Sequence, residues 1–192
     1  MDKPRLFFGT GNGKKLTEIN AILGDQFSIQ SFRDLPNKIE VVEDAPDLEG
    51  NAIKKAKEFY EAVGVPCFAD DTGLEVAALD GRPGVYSARY AGPEGNSEAN
   101  MNLLLQELDG KGDRSAQFRT VIAYYDGNDL HTFEGALHGS IGHEKRGDGG
   151  FGYDPLFIPT GDERTLAQMS PDEKNSISHR GKAVRNFAEF LL

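Results

Sequence analysis

An apolar run near the N-terminus, Leu6-Phe7-Phe8, breaks directly into Gly9-Thr10-Gly11-Asn12-Gly13-Lys14-Lys15, and Leu16, Ile19, Ile22 and Leu23 then recur at helical spacing. A short buried strand, a glycine-rich loop and an amphipathic helix form a strand–loop–helix unit, the building block of an α/β sheet. Glycines at a helix start let backbone N–H groups face an anion, and the Thr10 hydroxyl, the Asn12 amide and the charges of Lys14 and Lys15 add to that field. The loop matches neither familiar phosphate-binding pattern. Lys14 stands where the dinucleotide fingerprint has its third Gly, and no Ser or Thr follows Lys15 to hold a metal. A turn that merely reverses the chain would use the same glycines.

Further along, Ala52, Ala56, Phe59 and Val63 predict a helix over 48–63, capped by Asp47 and ended by Gly64. Val65 to Ala69 reads as a strand parallel to the first, delivering Asp70-Asp71-Thr72-Gly73 at its C-terminal end, and Leu74 to Ala78 continues the sheet. Ser97 is placed to cap a helix carrying Met101, Leu104, Leu105 and Leu108. Gln117 to Tyr125 and Leu130 to Leu137 read as antiparallel strands turned at Asp126-Gly127. A last helical stripe holds Ala183, Val184, Phe187, Phe190 and Leu191. Alternating βα units followed by a β-rich middle predict an α/β fold: a mixed, twisted sheet with helices, one domain over 1–192, and two lobes around a central cleft.

The net charge of −10 argues against a protein that tracks a polyanion across its surface, because such binding comes from neutralising phosphates. No apolar stretch is long enough for a bilayer, and the residues before Leu6 do not read as an export signal. A lone cysteine, Cys67, sits in an apolar run and fits structural packing in a reducing, cytoplasmic setting. His131, His138 and His143 lack the spacing of a zinc site.

Four further segments carry candidate chemistry. Asp70 and Asp71 are adjacent carboxylates at a predicted strand end, where ligands of open α/β sheets gather, although such pairs also occur on solvated turns. Glu40, Glu43, Asp44, Asp47 and Glu49 lie before or at the start of the second helix; one of them can complete an oxygen cage for a hard cation, or all can serve the helix dipole. Gly149-Gly150-Phe151-Gly152-Tyr153-Asp154-Pro155 can present the Phe151 ring for stacking on a planar base with Asp154 at its polar edge; an aromatic-filled turn is the plainer reading. Lys174, His179 and Arg180 place donors and positive charge before the last helix.

In order along the chain, Thr10-Gly-Asn-Gly-Lys-Lys15, Ala69-Asp-Asp-Thr-Gly-Leu74, Pro83-Gly-Val-Tyr-Ser-Ala-Arg89, Gly149-Gly-Phe-Gly-Tyr-Asp-Pro155 and Ser178-His-Arg180 resemble the inosine/xanthosine triphosphate pyrophosphatases of the Ham1/RdgB type. That resemblance implies an ITPase-like/Maf-like fold. It also implies a homodimeric, Mg²⁺-dependent enzyme that converts ITP, dITP, XTP and dXTP to monophosphates plus pyrophosphate, with no nucleic-acid or membrane partner. Position by position, it implies a proton acceptor at Asp71 and Mg²⁺ on Asp71 and Glu43, with Glu40 or Asp44 as alternatives to Glu43. The triphosphate would lie on Thr10, Gly11, Asn12, Gly13, Lys14 and Lys15. Thr72, Phe151, Gly152, Tyr153, Asp154, Lys174, His179 and Arg180 would contact substrate, and Asp70 and Arg89 would support them. Thr72 stands where many members have Ser, which keeps the hydroxyl. Two other readings stay open on the residues alone: a pyrophosphatase for modified pyrimidine triphosphates, and a nucleotide sensor without turnover.

Overall fold

Buried on three of its four residues, the apolar run forms strand β1 (Arg5–Phe8) in the computed structural model, which describes residues 2–192. The chain divides into two compact units. The first comprises residues 2–71, 121–134 and 183–192; the second comprises 72–120 and 135–182.

In the first unit, β1 pairs in parallel with β2 (Ser28–Gln30) on one edge, Leu6 opposite Ile29, and with the start of β3 (Cys67–Val76) on the other, Phe8 opposite Phe68. Helices α1 (Gly13–Leu23) and α2 (Leu48–Val63) follow the expected periodicity. Asp47 caps α2 by accepting from the Gly50 N–H, and Gly64 ends it at φ +67, a conformation that only glycine adopts without strain. The unit's core joins Leu6, Phe8, Ile19, Leu23, Phe68 and Ile122 to Ala183, Val184 and Phe187. Phe187 is fully buried, with ring centroids 4.8 Å from Phe68 and 5.4 Å from Phe133. Cys67 is buried as well, its Sγ bonded to the Val65 carbonyl, and burial pushes its thiol up to about 12.

In the second unit, β3 pairs antiparallel with β4 (Pro83–Gly84), Leu74 opposite Gly84. Helix α3 (Ser97–Leu108), the start of strand β5 (Ser115–Tyr125), the end of strand β6 (Leu130–Ile141), strand β7 (Phe157–Pro159) and the short helix α4 (Pro171–Ile177) follow, the rest of β5 and β6 belonging to the first unit. β7 lies antiparallel on β6, Gly139 opposite Pro159. The core here gathers Leu74, Val76, Met101, Leu104, Leu108, Phe118, Tyr153 and Phe157. Helix α5 (His179–Leu191) closes the chain. The sheet order is β2-β1-β3-β5-β6-β7, parallel among its first three strands and antiparallel at β4 and β7, as the sequence predicts for a mixed α/β fold. No helix among the described residues is long and apolar enough to cross a membrane.

Four local expectations need correction. β3 does not end at Ala69. It continues to Val76, because Leu74 and Val76 restore apolar burial after the two acids and β4 supplies a partner. Asn96 caps α3 through the Ala99 N–H, and Ser97 is already helical. His179 and Arg180 do not precede the last helix; they open it, with Ser178 Oγ accepting from the Gly181 N–H. The hairpin between β5 and β6 turns over Asp126 to Asp129, because Asp126 accepts from both the Asn128 and Asp129 N–H groups.

Phe187→Ala removes a fully buried ring from the first unit's core and should cost about 3–5 kcal/mol, read as a lower urea midpoint at unchanged slope.

Candidate active site

The candidate residues gather in two places, around Asp70 and Asp71 in the first unit and around Phe151 in the second. In the first unit, β1 runs into a turn at Gly9, where a Cβ would fall inside the Phe59 ring. The rings of Phe7, Phe32 and Phe59 meet edge to face beneath it, with centroids 5.3 to 5.9 Å apart. Thr10 is buried, and its Oγ1 accepts from the Asn12 N–H at 3.0 Å. Asn12 caps α1, its Oδ1 accepting from the N–H groups of Lys14 at 3.0 Å and Lys15 at 3.4 Å. At Gly13 a Cβ would lie 2.5 Å from a guanidinium nitrogen of Arg33, which a short 3₁₀ turn (Phe32–Asp34) carries to the loop. No acid lies in the first turn of α1, so Gly11, Gly13, Lys14 and Arg33 form a positively charged helix start suited to phosphate.

The acidic pair belongs to the same cluster. Lys15 Nζ lies 2.7 Å from Asp70 Oδ2, tying the glycine–lysine loop to β3. Lys55, from α2, donates to the Asp70 carbonyl at 2.7 Å, pairs with Glu43 Oε1 at 2.6 Å and lies 3.8 Å from Asp71 Oδ1. Asn51, one helical turn before Lys55, donates to Asp71 while its Oδ1 accepts from the Ala45 N–H at 2.9 Å. Burial raises the Asp71 carboxyl above its ordinary value of 3.8, with Glu43 and Asp70 pushing the same way and Lys55 and Asn51 opposing.

Glu43, then, is the carboxylate that shares a cation with Asp71. Asp44 goes to Lys54 at 2.7 Å, and that hydrogen bond holds its carboxyl below the usual range; Glu40 is exposed. Two carboxylates converging on one ammonium are a donor set that fits a hard divalent cation. Magnesium in particular is commonly held by one or two carboxylates plus substrate phosphates. Among the described residues no group of three or more His, Cys, Asp or Glu side chains forms an all-protein cage.

The second unit's cluster centres on Phe151, which is 69% exposed. The Lys174 ammonium stands 4.4 Å above its ring. Asp154 is buried, and its Oδ2 accepts from the Phe151 N–H at 3.0 Å and from Lys174 Nζ, so the loop and α4 are pinned together. Gly152, at φ +60, permits the tight bend between them. His179 stacks on Phe118, centroids 5.1 Å apart and planes within 20°, with Arg180 half-buried beside it on α5. An open aromatic face edged by a cation and donors suits a planar heterocycle. Three residues expected here are engaged within the protein: Thr72 Oγ1 bonds Thr120 Oγ1 at 2.7 Å, the buried Tyr153 hydroxyl donates to the Ser87 carbonyl at 2.6 Å, and Arg89 covers the Tyr86 ring at 5.2 Å.

The model of the Ham1 family matches residues 6–190. The chain belongs to the Ham1 family. A dITP/XTP pyrophosphatase of Porphyromonas gingivalis is 48% identical over 189 residues, covering 98% of this chain and 97% of that protein. Another, from Geobacter sulfurreducens, is 48% identical over 97% of this chain and 96% of its own length. Among solved structures, a Ham1 protein of Staphylococcus aureus aligns with a TM-score of 0.93 at 37% identity, covering 97% of both chains. A HAM1 protein from Coxiella burnetii aligns with the same TM-score at 34% identity, covering 98% of both.

Within this Ham1 family chain, Lys55 and Asn51 escaped the sequence reading. Their signal was present: two polar residues four apart on the stripe that Ala52, Ala56 and Phe59 make apolar, one turn of helix from any solvent explanation. Arg33 gave no such signal, because nothing in its own segment marks it as a neighbour of Gly13.

An Asp71 carboxyl raised in the folded protein binds its proton more readily there than in the unfolded chain. Its contribution to stability is therefore favourable at low pH and lost as pH rises from 3.8 through the raised value. Without added metal, Asp71→Asn should melt no lower than wild type at neutral pH, and any advantage should close below about pH 4. A lower melting temperature at neutral pH would show that Lys55 outweighs burial.

Proposed function

We propose that the protein hydrolyses non-standard purine nucleoside triphosphates, ITP, dITP, XTP and dXTP, to the monophosphate and pyrophosphate. The observation that carries this reading is the Lys15–Asp70 contact, which puts a positively charged glycine loop and a pair of β3 carboxylates in one cluster. A loop of that kind holds phosphates; carboxylates beside it can take a proton from water.

In the reaction a water oxygen attacks the α-phosphorus, the bond to the bridging oxygen of the β-phosphate breaks, and pyrophosphate leaves. Asp71 receives the water proton. Its raised carboxyl makes it a stronger base than an ordinary aspartate while Lys55 keeps it ionised enough to act. Backbone N–H groups of the loop, with Lys14 and Lys15, hold the phosphate oxygens and offset the charge that shifts toward the leaving group. Mg²⁺, held by Asp71 and Glu43, would supply further neutralisation of the triphosphate. The sequence resemblance extends the proposal to a homodimer, for which light scattering should give twice the 21.0 kDa chain mass.

By the sequence resemblance, Phe151, Asp154, Lys174, His179 and Arg180 would contact the purine. Hypoxanthine and xanthine carry a carbonyl at position six where adenine has an amino group, so donors on Lys174, His179 or Arg180 favour them. Adenine would leave those donors unmatched, at about 1–3 kcal/mol each.

A triphosphate panel with product identification tests the reading. With Mg²⁺, ITP and XTP should release pyrophosphate much faster than ATP or GTP, and chelation should stop turnover. Equal rates, or orthophosphate as the first product, would overturn it. Asp71→Asn should fold and lose turnover entirely; near-normal activity would remove Asp71 as the base. Nucleotide binding without turnover would mark a sensor instead.

A further inference from the structure

Within the second unit the turn from Pro83 to Ala91 is gripped at one point from three directions. Ser87 Oγ accepts from the Leu74 N–H at 2.8 Å and donates to the Gly84 carbonyl at 2.6 Å. The Ser87 carbonyl accepts from the Tyr153 hydroxyl at 2.6 Å and from Asn100 Nδ2 at 3.4 Å. Asn100, buried on α3, also donates to the Ala88 carbonyl at 3.0 Å and accepts from the Ala91 N–H at 2.8 Å. β3, α3 and the Phe151–Asp154 loop all fix one turn.

Burial decides what these side chains can do. Tyr153 is 5% exposed and Asn100 is 4% exposed. With both donor and acceptor ends of its buried amide engaged, Asn100 has little left to offer a ligand. The Tyr153 hydroxyl has given its one proton to Ser87. Yet Tyr153 lies between Phe151 and Asp154, and Arg89 lies two residues beyond Ser87.

We propose that Tyr153 and Asn100 are positioning residues that act through the Ser87 carbonyl, locking the turn that carries Arg89 to the loop that carries Phe151 and Asp154. Tyr153 then serves the reaction without touching the nucleotide through its hydroxyl, and Arg89 contributes to turnover only while the turn is held. The inference rests on the proposed pyrophosphohydrolase reading for its catalytic part; the coupling itself does not.

Tyr153→Phe keeps the ring in the core and removes one hydroxyl, so folding is retained. Steady-state hydrolysis of ITP by wild type, Tyr153→Phe, Arg89→Gln and the double variant forms a cycle. Tyr153→Phe should lower kcat/KM about tenfold, the order of one buried hydrogen bond, and the double variant should be no slower than Arg89→Gln alone. Hydrogen exchange over residues 86–92, measured without nucleotide, should accelerate about tenfold in Tyr153→Phe and likewise in Asn100→Asp, which loses the donor and keeps the acceptor. Multiplicative losses in the cycle, wild-type kcat/KM in Tyr153→Phe, or unchanged exchange would each overturn the proposal. If wild type released no pyrophosphate from any purine triphosphate, the functional reading would fall while the exchange result still judged the coupling.

Discussion

Two neighbouring carboxylates in the middle of a strand need positive charge close by, and the first unit is arranged around that need. Asp70 and Asp71 sit where β3 has already left its apolar stretch but has not reached solvent, so each is answered from a different element. Lys15 reaches Asp70 from the start of α1, and Lys55 reaches Asp71, Glu43 and the Asp70 backbone from α2. The consequence runs outward: the glycine loop is held against the strand by the same ion pair that neutralises one acid, and the other acid keeps a carboxyl that burial makes basic.

The second unit solves a different problem with the same means. Its exposed ring, Phe151, would be mobile on a glycine-rich loop unless the loop were fastened. Asp154 does this by accepting from the loop's own backbone and from Lys174, while Lys174 covers the ring. A buried carboxylate bonded to both a backbone N–H and an ammonium fixes geometry at low entropic cost, because neither partner has to be ordered separately. In each unit, then, a glycine segment is kept in shape by an acid and a lysine.

The sequence made the helices most legible. The α2 boundaries follow from Asp47, the Ala52–Ala56–Phe59 stripe and Gly64, all local signals. The α/β character and the family resemblance followed from motifs that stay intact along the chain. That β3 runs unbroken through Asp70 to Gly73 was not legible, since Asp-Asp-Thr-Gly has the composition of a turn, whereas lysines from α1 and α2 meet its acids and β4 pairs the strand just beyond it. The same limit hid Lys55 and Arg33, whose roles exist only in the folded neighbourhood of residues far along the chain. Tyr153 shows the converse: its motif suggested a ligand contact, whereas its hydroxyl is turned inward to a carbonyl 66 residues away.

Cys67 lies in β3 opposite Phe7, sealed in the core with its thiol far from ionising at physiological pH. Because electrophiles attack the thiolate, maleimide and iodoacetamide reagents have nothing to react with in the native state. Any cysteine engineered onto the outside of this chain therefore becomes its sole labelling point, and fluorophores or spin probes can be attached without first replacing the natural thiol.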